Sequence, residues 1–411
     1  MQDINGLSAR TQHYLNLESK YGAHNYHPLP VVLTKGEGVF VWDVDGRKYY
    51  DFLSGYSAVN HGHCHPKIVE VFTQQAQQLT LTSRAFHSEL LGTFAEYITR
   101  YFGYDKVLPM NTGAEAVETA VKLCRKWAYK VKGIDEDKAV IIVCSQNFHG
   151  RTTTIVSFSS DPTAKKDFGP FTPGFVSIPY NDIAALETVL QEKNIAGFLV
   201  EPIQGEAGVV VPDDGYLSKV RQLCKEQNVL FMADEIQTGL CRTGKMLACD
   251  HENVRPDVLI LGKALSGGMM PVSVVLADDE IMLTIQPGEH GSTYGGNPLA
   301  CKVAMTALQV LKDEKMAENA AVMGELFRKE MAALHSKHIA AVRGKGLLNA
   351  IVINHPDKEA AWKLCLELKD NGLLAKPTHG DKIRFSPPLI INEEQIKDCV
   401  EIIRKSLSIL D

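Results

Sequence analysis

The sequence predicts an α/β fold in which a mostly parallel sheet is wrapped by helices. Between about residue 100 and residue 300, short apolar runs alternate with stretches of helical periodicity. The runs are continuously apolar rather than alternating, which is typical of strands buried on both faces of a parallel sheet. Four runs carry this prediction: "AVIIVC" (139–144), "IAGFLV" (195–200), "VLFMA" (229–233) and "VLILG" (258–262). The stretch "GYLSKVRQLCKEQN" (215–228) lies between two of them, as a crossover helix would.

A change of pattern after about residue 315 predicts a smaller α+β domain at the C-terminus. Helical stretches there alternate with "VRGKGLLNAIVI" (342–353) and "KIRFSPPL" (382–389). Near the other end, "GVFVWDVDGRKYYDF" (38–52) predicts a β-hairpin with its turn at Asp45-Gly46. We therefore expect an N-terminal segment (residues 1–58) that packs with the small domain, a large domain (residues 59–315) and the small domain (residues 316–411).

Composition and charge exclude several classes of protein. Of the 411 residues, 45% are hydrophobic and 22% are charged, and the net charge of −6 gives no general attraction for nucleic acid or an anionic membrane. No apolar stretch approaches the roughly 20 residues that a transmembrane helix needs. The nine cysteines are scattered and form no CxxC pair, which indicates a reducing compartment. We expect a cytoplasmic protein, or one of the mitochondrial matrix if a leader has been removed.

Polar side chains collect directly after three of the predicted strands, where open α/β sheets bind their ligands. They are Glu201, Gln204 and Glu206 after the second run, Asp234, Glu235 and Gln237 after the third, and Lys263 after the fourth. A lysine at a strand end is commonly a surface charge in water, but it can also be held in a site because its amine does chemistry. Because three strands place such groups at one edge of the sheet, the pattern favours a ligand-binding or catalytic site there.

The start of a helix adds a candidate anion site. In "MNTGAEAVETAVKLCRKW" (110–127), Thr112 and Glu115 fit a capping box, and apolar residues then repeat at helical spacing. Gly113 would let a ligand approach the free N–H groups of the first turn. The alternative is a well-capped helix with no ligand.

Two further motifs resemble known binding sites but lack residues that those sites need. "GLCRTGKM" (239–246) is close to a P-loop, but Met246 replaces the hydroxyl that would hold Mg²⁺, and no strand leads directly into it. "HGHCH" (61–65) crowds its histidines within one turn, and no second pair stands at a zinc spacing. We interpret these as loop histidines with protein partners and predict no metal site.

Taken together, one group of motifs resembles the class III (subgroup II) pyridoxal-phosphate aminotransferases. These motifs are "MNTGAEAVETAVKLCRKW", "NFHGRT", "EPIQGEAGVVVP", "ADEIQTGLCRTGK", "LGKALSGG" and "GSTYGGNP". A second group resembles the ornithine aminotransferase subfamily within that class: "YGAHNYHPLPVVL", "GHCHPKI", "LTLTSRAF", "IMLTIQPGEHGSTYGGNPL", "VRGKGLLNAIVI" and "NGLLAKPTHGDKIRFSPPL". The resemblance implies the pyridoxal-phosphate transferase fold type I, with the large domain binding pyridoxal 5'-phosphate.

The resemblance also implies a role for each cofactor-binding residue. Lys263 would bind the cofactor covalently and then move the proton during catalysis, and Asp234 would pair with the protonated pyridine nitrogen. The remaining contacts would be Gln237 with the phenolic oxygen, Phe148 stacked on the ring, and Gly113 and Ala114 around the phosphate. Ser292 and Thr293 would complete the phosphate site from the other subunit, so the resemblance implies a homodimer with a shared active site.

For the substrates, the resemblance implies two carboxylate sites. Tyr26 and Arg151 would hold the α-carboxylate of ornithine, and Tyr56 stands where this subfamily has a tyrosine and 4-aminobutyrate aminotransferases have an aliphatic residue. Arg384 would bind the α-carboxylate of 2-oxoglutarate or glutamate. Glu206 would cover Arg384 by an ion pair during the ornithine half-reaction.

The implied reaction is transfer of the δ-amino group of L-ornithine to 2-oxoglutarate in ping-pong order, giving glutamate and a glutamate 5-semialdehyde that cyclises to pyrroline-5-carboxylate. N-acetylornithine and 4-aminobutyrate are the alternative donors, and Tyr26 and Tyr56 argue against both. A non-catalytic relative with the same fold is the other alternative, but it would need neither Lys263 nor Asp234. His149 departs from the tryptophan of animal ornithine aminotransferases, and neither it nor Cys241 receives a role.

Overall fold

A seven-stranded sheet lies at the centre of the computed structural model, which describes residues 6–411. The strands of the chain are β1 (Leu33–Glu37), β2 (Phe40–Asp43), β3 (Lys48–Asp51), β4 (Lys106–Met110), β5 (Val140–Cys144), β6 (Phe175–Ile178), β7 (Ile195–Val200), β8 (Leu230–Asp234), β9 (Val258–Leu261), β10 (Ser273–Ala277), β11 (Ile339–Lys345), β12 (Leu348–Ile353), β13 (Leu373–Leu374), β14 (Lys376–Thr378) and β15 (Lys382–Phe385). The central sheet has the order β4-β10-β9-β8-β7-β5-β6. Strands β5 to β9 are parallel, and β10 runs antiparallel to both of its neighbours.

The four apolar runs form β5, β7, β8 and β9, so these strand predictions are confirmed. Every residue of β7, β8 and β9 is buried, because helices cover both faces of the sheet. The predicted crossover helix lies between β7 and β8. The α-helices are Ala9–Tyr21, Pro66–Ala76, Glu89–Phe102, Gly113–Trp127, Thr153–Ser157, Pro162–Lys165, Ile183–Val189, Tyr216–Glu226, Asp279–Met282, Pro298–Asp313, Met316–Ala333, Ala360–Asp370 and Glu393–Ser406.

Two smaller sheets flank the central one. The predicted hairpin is confirmed as β2 and β3, and β13 from the C-terminal part pairs in parallel with β3, with Leu373 opposite Tyr50. The third sheet has the order β11-β12-β15-β14 and is packed by C-terminal helices. The N-terminal hairpin is thus joined to the C-terminal part of the chain by backbone pairing. The domain boundaries stay a prediction, and residues 1–5 of the predicted N-terminal segment lie outside the described residues.

The stretch that is close to a P-loop instead binds the C-terminal part of the chain. Arg242 is fully buried, and its Nη1 donates to the carbonyls of Leu347 (3.0 Å) and Pro387 (2.6 Å). Its Nη2 donates to the side-chain oxygen of Asn60 at 2.5 Å. This buried guanidinium therefore fixes the β11–β12 turn and the segment after β15 against the large sheet.

Each histidine of the "HGHCH" motif has a protein partner. His61 is fully buried, burial lowers its pKa to about 4, and its Nε2 donates to the carbonyl of Ala307 at 3.0 Å. His63 bonds to Asp51 at 2.7 Å, and His65 bonds to Glu314 at 3.2 Å. No helix within residues 6–411 has the length and apolarity needed to cross a membrane.

Candidate active site

Three neighbouring strands bring a carboxylate, a second carboxylate and a lysine to one edge of the central sheet. Glu201 directly follows β7, Asp234 is the last residue of β8, and Lys263 follows β9 by two residues. Because β7, β8 and β9 are adjacent and parallel, their carboxyl ends meet at the same edge. Glu201 and Asp234 are buried there, so the predicted convergence of these groups is present in the structure.

Lys263 is held in a strained conformation with its amine unpaired. Its backbone φ is 42°, in the left-handed region that costs a residue with a side chain about 1–2 kcal/mol. Among residues 6–411 its amine has no hydrogen-bond or ion-pair partner. Burial lowers the pKa of Lys263 to about 8, although the charge of Asp234 acts in the opposite sense. A large fraction of this amine is therefore neutral, and hence nucleophilic, near pH 8.

Asp234 is oriented by a buried histidine. His149 Nδ1 donates to Asp234 Oδ2 at 2.6 Å, and Asp234 Oδ1 accepts from the backbone N–H of Ile236 at 3.1 Å. Burial of the imidazole opposes its protonation, but the hydrogen bond and charge of Asp234 outweigh burial and raise the pKa of His149. The two hydrogen bonds fix the orientation of the Asp234 carboxylate at the end of β8. No role for His149 could be predicted from the sequence, in which its only signal is its position beside Phe148.

A buried glutamate fixes the backbone that carries Phe148. Glu201 Oε1 accepts from the Phe148 N–H at 2.8 Å, and burial raises the pKa of Glu201 to about 7. The Phe148 ring is 36% exposed, and the guanidinium carbon of Arg151 lies 5.7 Å from its centroid. An aromatic ring thus remains accessible beside the carboxylates, as stacking on a planar ligand requires.

The helix Gly113–Trp127 begins at the same edge. The capping box of Thr112 and Glu115 is confirmed, while the N–H groups of Gly113 and Ala114 have no partner within the helix. A side chain at position 113 would approach Ile236 to 3.0 Å, so glycine allows the helix start to lie close to the end of β8. These N–H groups and the helix dipole suit an anion such as phosphate.

Ser292 lies near this helix start within the same chain. Its hydroxyl accepts from Asn111 Nδ2 at 2.7 Å, and Thr293 beside it is exposed. The role of this pair in a partner's phosphate site stays a prediction. Gln237 reaches the other side of the site, where its Nε2 lies 3.4 Å from the Tyr56 carbonyl. A side chain at Gly205 would come within 1.9 Å of Gln237 Oε1, so a larger residue there would displace the Gln237 amide.

The proposed substrate residues surround Tyr56. Arg384 Nη1 pairs with Glu206 Oε2 at 2.8 Å, and the Arg384 guanidinium carbon lies 5.5 Å from the Tyr56 ring centroid. Burial raises the pKa of Tyr56. The nearby charges of Arg384 and Arg151 act to lower this pKa, and that of Glu206 acts to raise it. Tyr26 is also within electrostatic range of Tyr56, and its ring is 66% exposed. The structure therefore brings together all five residues that were predicted from distant parts of the sequence.

These groups fit a planar, nitrogen-containing ring with a phosphate tail. The Asp234 carboxylate, an unpaired Lys263 amine, an accessible Phe148 ring and free N–H groups at a helix start lie around one edge of the sheet. A phosphorylated pyridine cofactor has the complementary groups, namely a basic ring nitrogen, an electrophilic carbonyl, two ring faces and an anion.

Comparison with known proteins shows the family to which the chain belongs. Residues 21–407 match the family model for the class-III aminotransferases, and the chain belongs to this family. A relative from Rattus norvegicus, "Ornithine aminotransferase, mitochondrial", is 63% identical over 97% of this chain and 90% of its own length.

Two solved structures are similar over nearly their whole length. One, an ornithine aminotransferase from Toxoplasma gondii described with partial occupancy of PLP at its active site, has a TM-score of 0.95 at 48% identity and covers 97% of this chain and 94% of its own. The other is described as an acetylornithine aminotransferase from Elizabethkingia anophelis, with a TM-score of 0.89, 61% identity and coverage of 97% and 99%. The fold is thus that of the pyridoxal-phosphate transferase fold type I.

Proposed function

We propose that the chain transfers the δ-amino group of L-ornithine to 2-oxoglutarate, giving glutamate 5-semialdehyde and glutamate in ping-pong order. The observation that carries this proposal is the Arg384–Glu206 ion pair beside Tyr56. One pocket must accept ornithine, with one carboxylate, and then glutamate, with two. A cation that is covered in one half-reaction and exposed in the other meets this requirement.

We propose pyridoxal 5'-phosphate as the cofactor, held by the residues around the strand ends. When bound, it supplies a carbonyl that takes up the amino group and a cationic ring that withdraws electrons from the reacting carbon. Asp234, oriented by His149, would pair with the protonated ring nitrogen. Phe148 would stack on the ring, and the N–H groups of Gly113 and Ala114 would bind the phosphate.

Lys263 would take part in both attachment and proton transfer. Its lowered pKa allows the amine to attack a carbonyl near pH 8, and the released amine can then accept and return a proton at the reacting carbon. Burial of the neighbouring Glu201 and Asp234 limits competing proton exchange with water. Gln237, held against Gly205, would contact the phenolic oxygen of the cofactor.

Donor selection would depend on Tyr26, Tyr56 and Arg151. Tyr26 and Arg151 would bind the α-carboxylate of ornithine and so leave its δ-amine at the cofactor. The Tyr56 hydroxyl has no hydrogen-bond partner within residues 6–411, so it can accept from the charged α-ammonium of ornithine. In N-acetylornithine this nitrogen is a neutral and bulkier amide, which would make a poorer fit.

N-acetylornithine is the second candidate donor, because a structure described as an acetylornithine aminotransferase is 61% identical to this chain. A donor panel separates the two: ornithine, N-acetylornithine and 4-aminobutyrate are each supplied with 2-oxoglutarate, and the cyclised product of ornithine is trapped. We expect the highest kcat/KM with ornithine. A higher value with N-acetylornithine would replace ornithine as the donor, and an unchanged visible absorption band with all three donors would exclude transamination.

We further propose a homodimer in which Ser292 and Thr293 complete the partner's phosphate site. Tyr294, next to this pair, is 55% exposed, as a side chain that a second subunit covers would be. Subunits that carry Lys263→Ala and subunits that carry Thr293→Glu should each be inactive, whereas mixed dimers regain one intact site. Mixed dimers no more active than their parents would contradict the shared site.

The compartment is proposed to be a reducing one, the cytoplasm or the mitochondrial matrix. All nine cysteines are free thiols, and eight of them are buried. The relative from Rattus norvegicus is named as mitochondrial. Cell fractionation with activity measurements distinguishes the two compartments.

A further inference from the structure

The segment Ser54–Ser57, which carries Tyr56, is a left-handed turn. The φ angles of its four residues are 49°, 58°, 60° and 69° in chain order. Only Gly55 adopts such angles without a steric penalty, and left-handed residues normally occur singly. Three strained residues with side chains within one turn persist only where the surrounding structure holds them.

Asp51 holds the entrance of this turn. Its Oδ1 accepts from the backbone N–H groups of Leu53 (2.9 Å) and Ser54 (2.8 Å). Its Oδ2 bonds to His63 Nε2 at 2.7 Å, and the carboxylate is buried. His63 is fixed in turn by paired backbone hydrogen bonds with Gly38 at 2.8 and 3.0 Å. One carboxylate therefore connects the start of the turn to a rigid bridge outside the substrate site.

The turn is also tied to the strand that carries Arg384. The Phe52 carbonyl accepts from the Ser386 N–H at 2.8 Å, two residues beyond Arg384. The position of Tyr56 over Arg384 thus depends on the path of the backbone between Phe52 and Tyr56. Asp51 bonds to two N–H groups on that path.

We infer that Asp51 is a positioning residue for donor selection, because it holds the left-handed turn that presents Tyr56 to Arg384. This inference rests on the proposed function and extends it to a residue outside the substrate pocket. When Asp51 is removed, the turn relaxes toward ordinary dihedral angles and Tyr56 moves away from Arg384. Arg384 then becomes more accessible to the α-carboxylate of any amino acid, and the preference for ornithine over glutamate falls.

Two variants test the inference by different routes. Asp51→Ala removes the acceptor. Gly55→Ala strains the turn directly, because a residue with a side chain is disfavoured at a φ of 58°, while the added methyl group would meet Val59 (3.6 Å) and Ala58 (3.7 Å) only at ordinary distances. We expect each variant to have a roughly tenfold lower preference for ornithine, measured as kcat/KM for ornithine divided by kcat/KM for glutamate. A change of this size corresponds to the net contribution of one or two hydrogen bonds. Asp51→Asn should restore most of the ratio, because its amide oxygen can still accept from Leu53 and Ser54.

Asp43 supplies a matched control. It is equally buried in the neighbouring strand, its Oδ1 accepts from the N–H groups of Asp45 (3.0 Å) and Arg47 (2.8 Å), and its Oδ2 accepts from the Tyr49 hydroxyl. Asp43→Ala and Asp51→Ala should both lower the melting temperature, but Asp43→Ala should leave the donor ratio unchanged. Cofactor absorption checks that each variant is loaded.

An unchanged ratio in both Asp51→Ala and Gly55→Ala would overturn the inference, as would an equal change in Asp43→Ala. If either Asp51→Ala or Gly55→Ala does not fold, the other still decides the question. The wild-type donor panel is measured first, so that failure of the proposed function is recognised separately. If the wild type prefers another ω-amine, the same ratio is taken with that donor against glutamate.

Discussion

Replacing Glu206 with alanine should change which amine the enzyme transfers. With Glu206 removed, Arg384 loses its only ion-pair partner within the described residues. The α-carboxylate of ornithine can then occupy Arg384 and present the α-amine to the cofactor. Glutamate should react faster, because its carboxylate no longer has to displace Glu206.

The size of the effect follows from the burial of the pair. Removing one partner of a fully buried ion pair costs about 3–5 kcal/mol. Only the Arg384 side chain is deeply buried, at 5% exposure, whereas that of Glu206 is 30% exposed and partly screened by solvent. We therefore expect about 1.4–2.8 kcal/mol, and since each 1.4 kcal/mol is a factor of ten, a shift of roughly 10- to 100-fold in donor preference.

Single-turnover kinetics with ornithine and with glutamate measure this shift, and product analysis separates δ from α transfer. Glu206→Gln is the sharper variant, because it keeps an oxygen for the Thr378 hydroxyl (3.3 Å) but removes the charge, and it should behave like Glu206→Ala. Asp381→Ala is the matched control, since it breaks an ion pair beside the same strand without contact to Arg384. An unchanged donor ratio together with unchanged regiochemistry would refute the switch.

Four further outcomes are expected. Lys263→Ala should abolish turnover while the cofactor stays bound without a covalent bond, as gel filtration followed by absorbance would detect; repeated turnovers near the wild-type rate would remove Lys263 from the mechanism. Asp234→Ala should lower kcat by roughly a hundredfold or more while the melting temperature changes little, and a variant with full cofactor occupancy and most of its kcat would contradict this. His149→Phe, which removes the donor to Asp234, should lower kcat and cofactor affinity by about tenfold each, and unchanged values would show that Asp234 does not need His149. Because burial lowers the pKa of Lys263 to about 8, the amine becomes neutral as the pH rises through 8, so the rate of cofactor attachment to the apoenzyme should rise to that pH and then level off; a rise that continues to pH 10 would indicate an ordinary lysine.

Four of the seven strands of the central sheet (β5, β7, β8 and β9) were predictable because their signal is local. A run such as residues 195–200 is apolar at every position, and β7 is buried at every position. The strand order was not predictable in this way. Strand β10 lies between β4 and β9 and is antiparallel to both, and the two-residue β13 joins the N-terminal hairpin. The pairings of β10 with β4 and of β13 with β3 join segments far apart in the chain, and no local pattern encodes them.

The types of group in the site, and the strand ends from which most of them project, could be predicted from the sequence. Lys263, Asp234 and Gly113 could be predicted because strand ends and helix starts are local features, and the family resemblance supplied roles for them. Which of these groups meet depends on tertiary packing. The hydrogen bond from His149 to Asp234 joins residues 85 positions apart. The ion pair of Glu206 and Arg384 depends on how the third sheet packs against the central sheet. The left-handed turn at Tyr56 was also invisible in the sequence, because three of its four residues avoid that conformation unless long-range contacts such as that of Asp51 with His63 hold it.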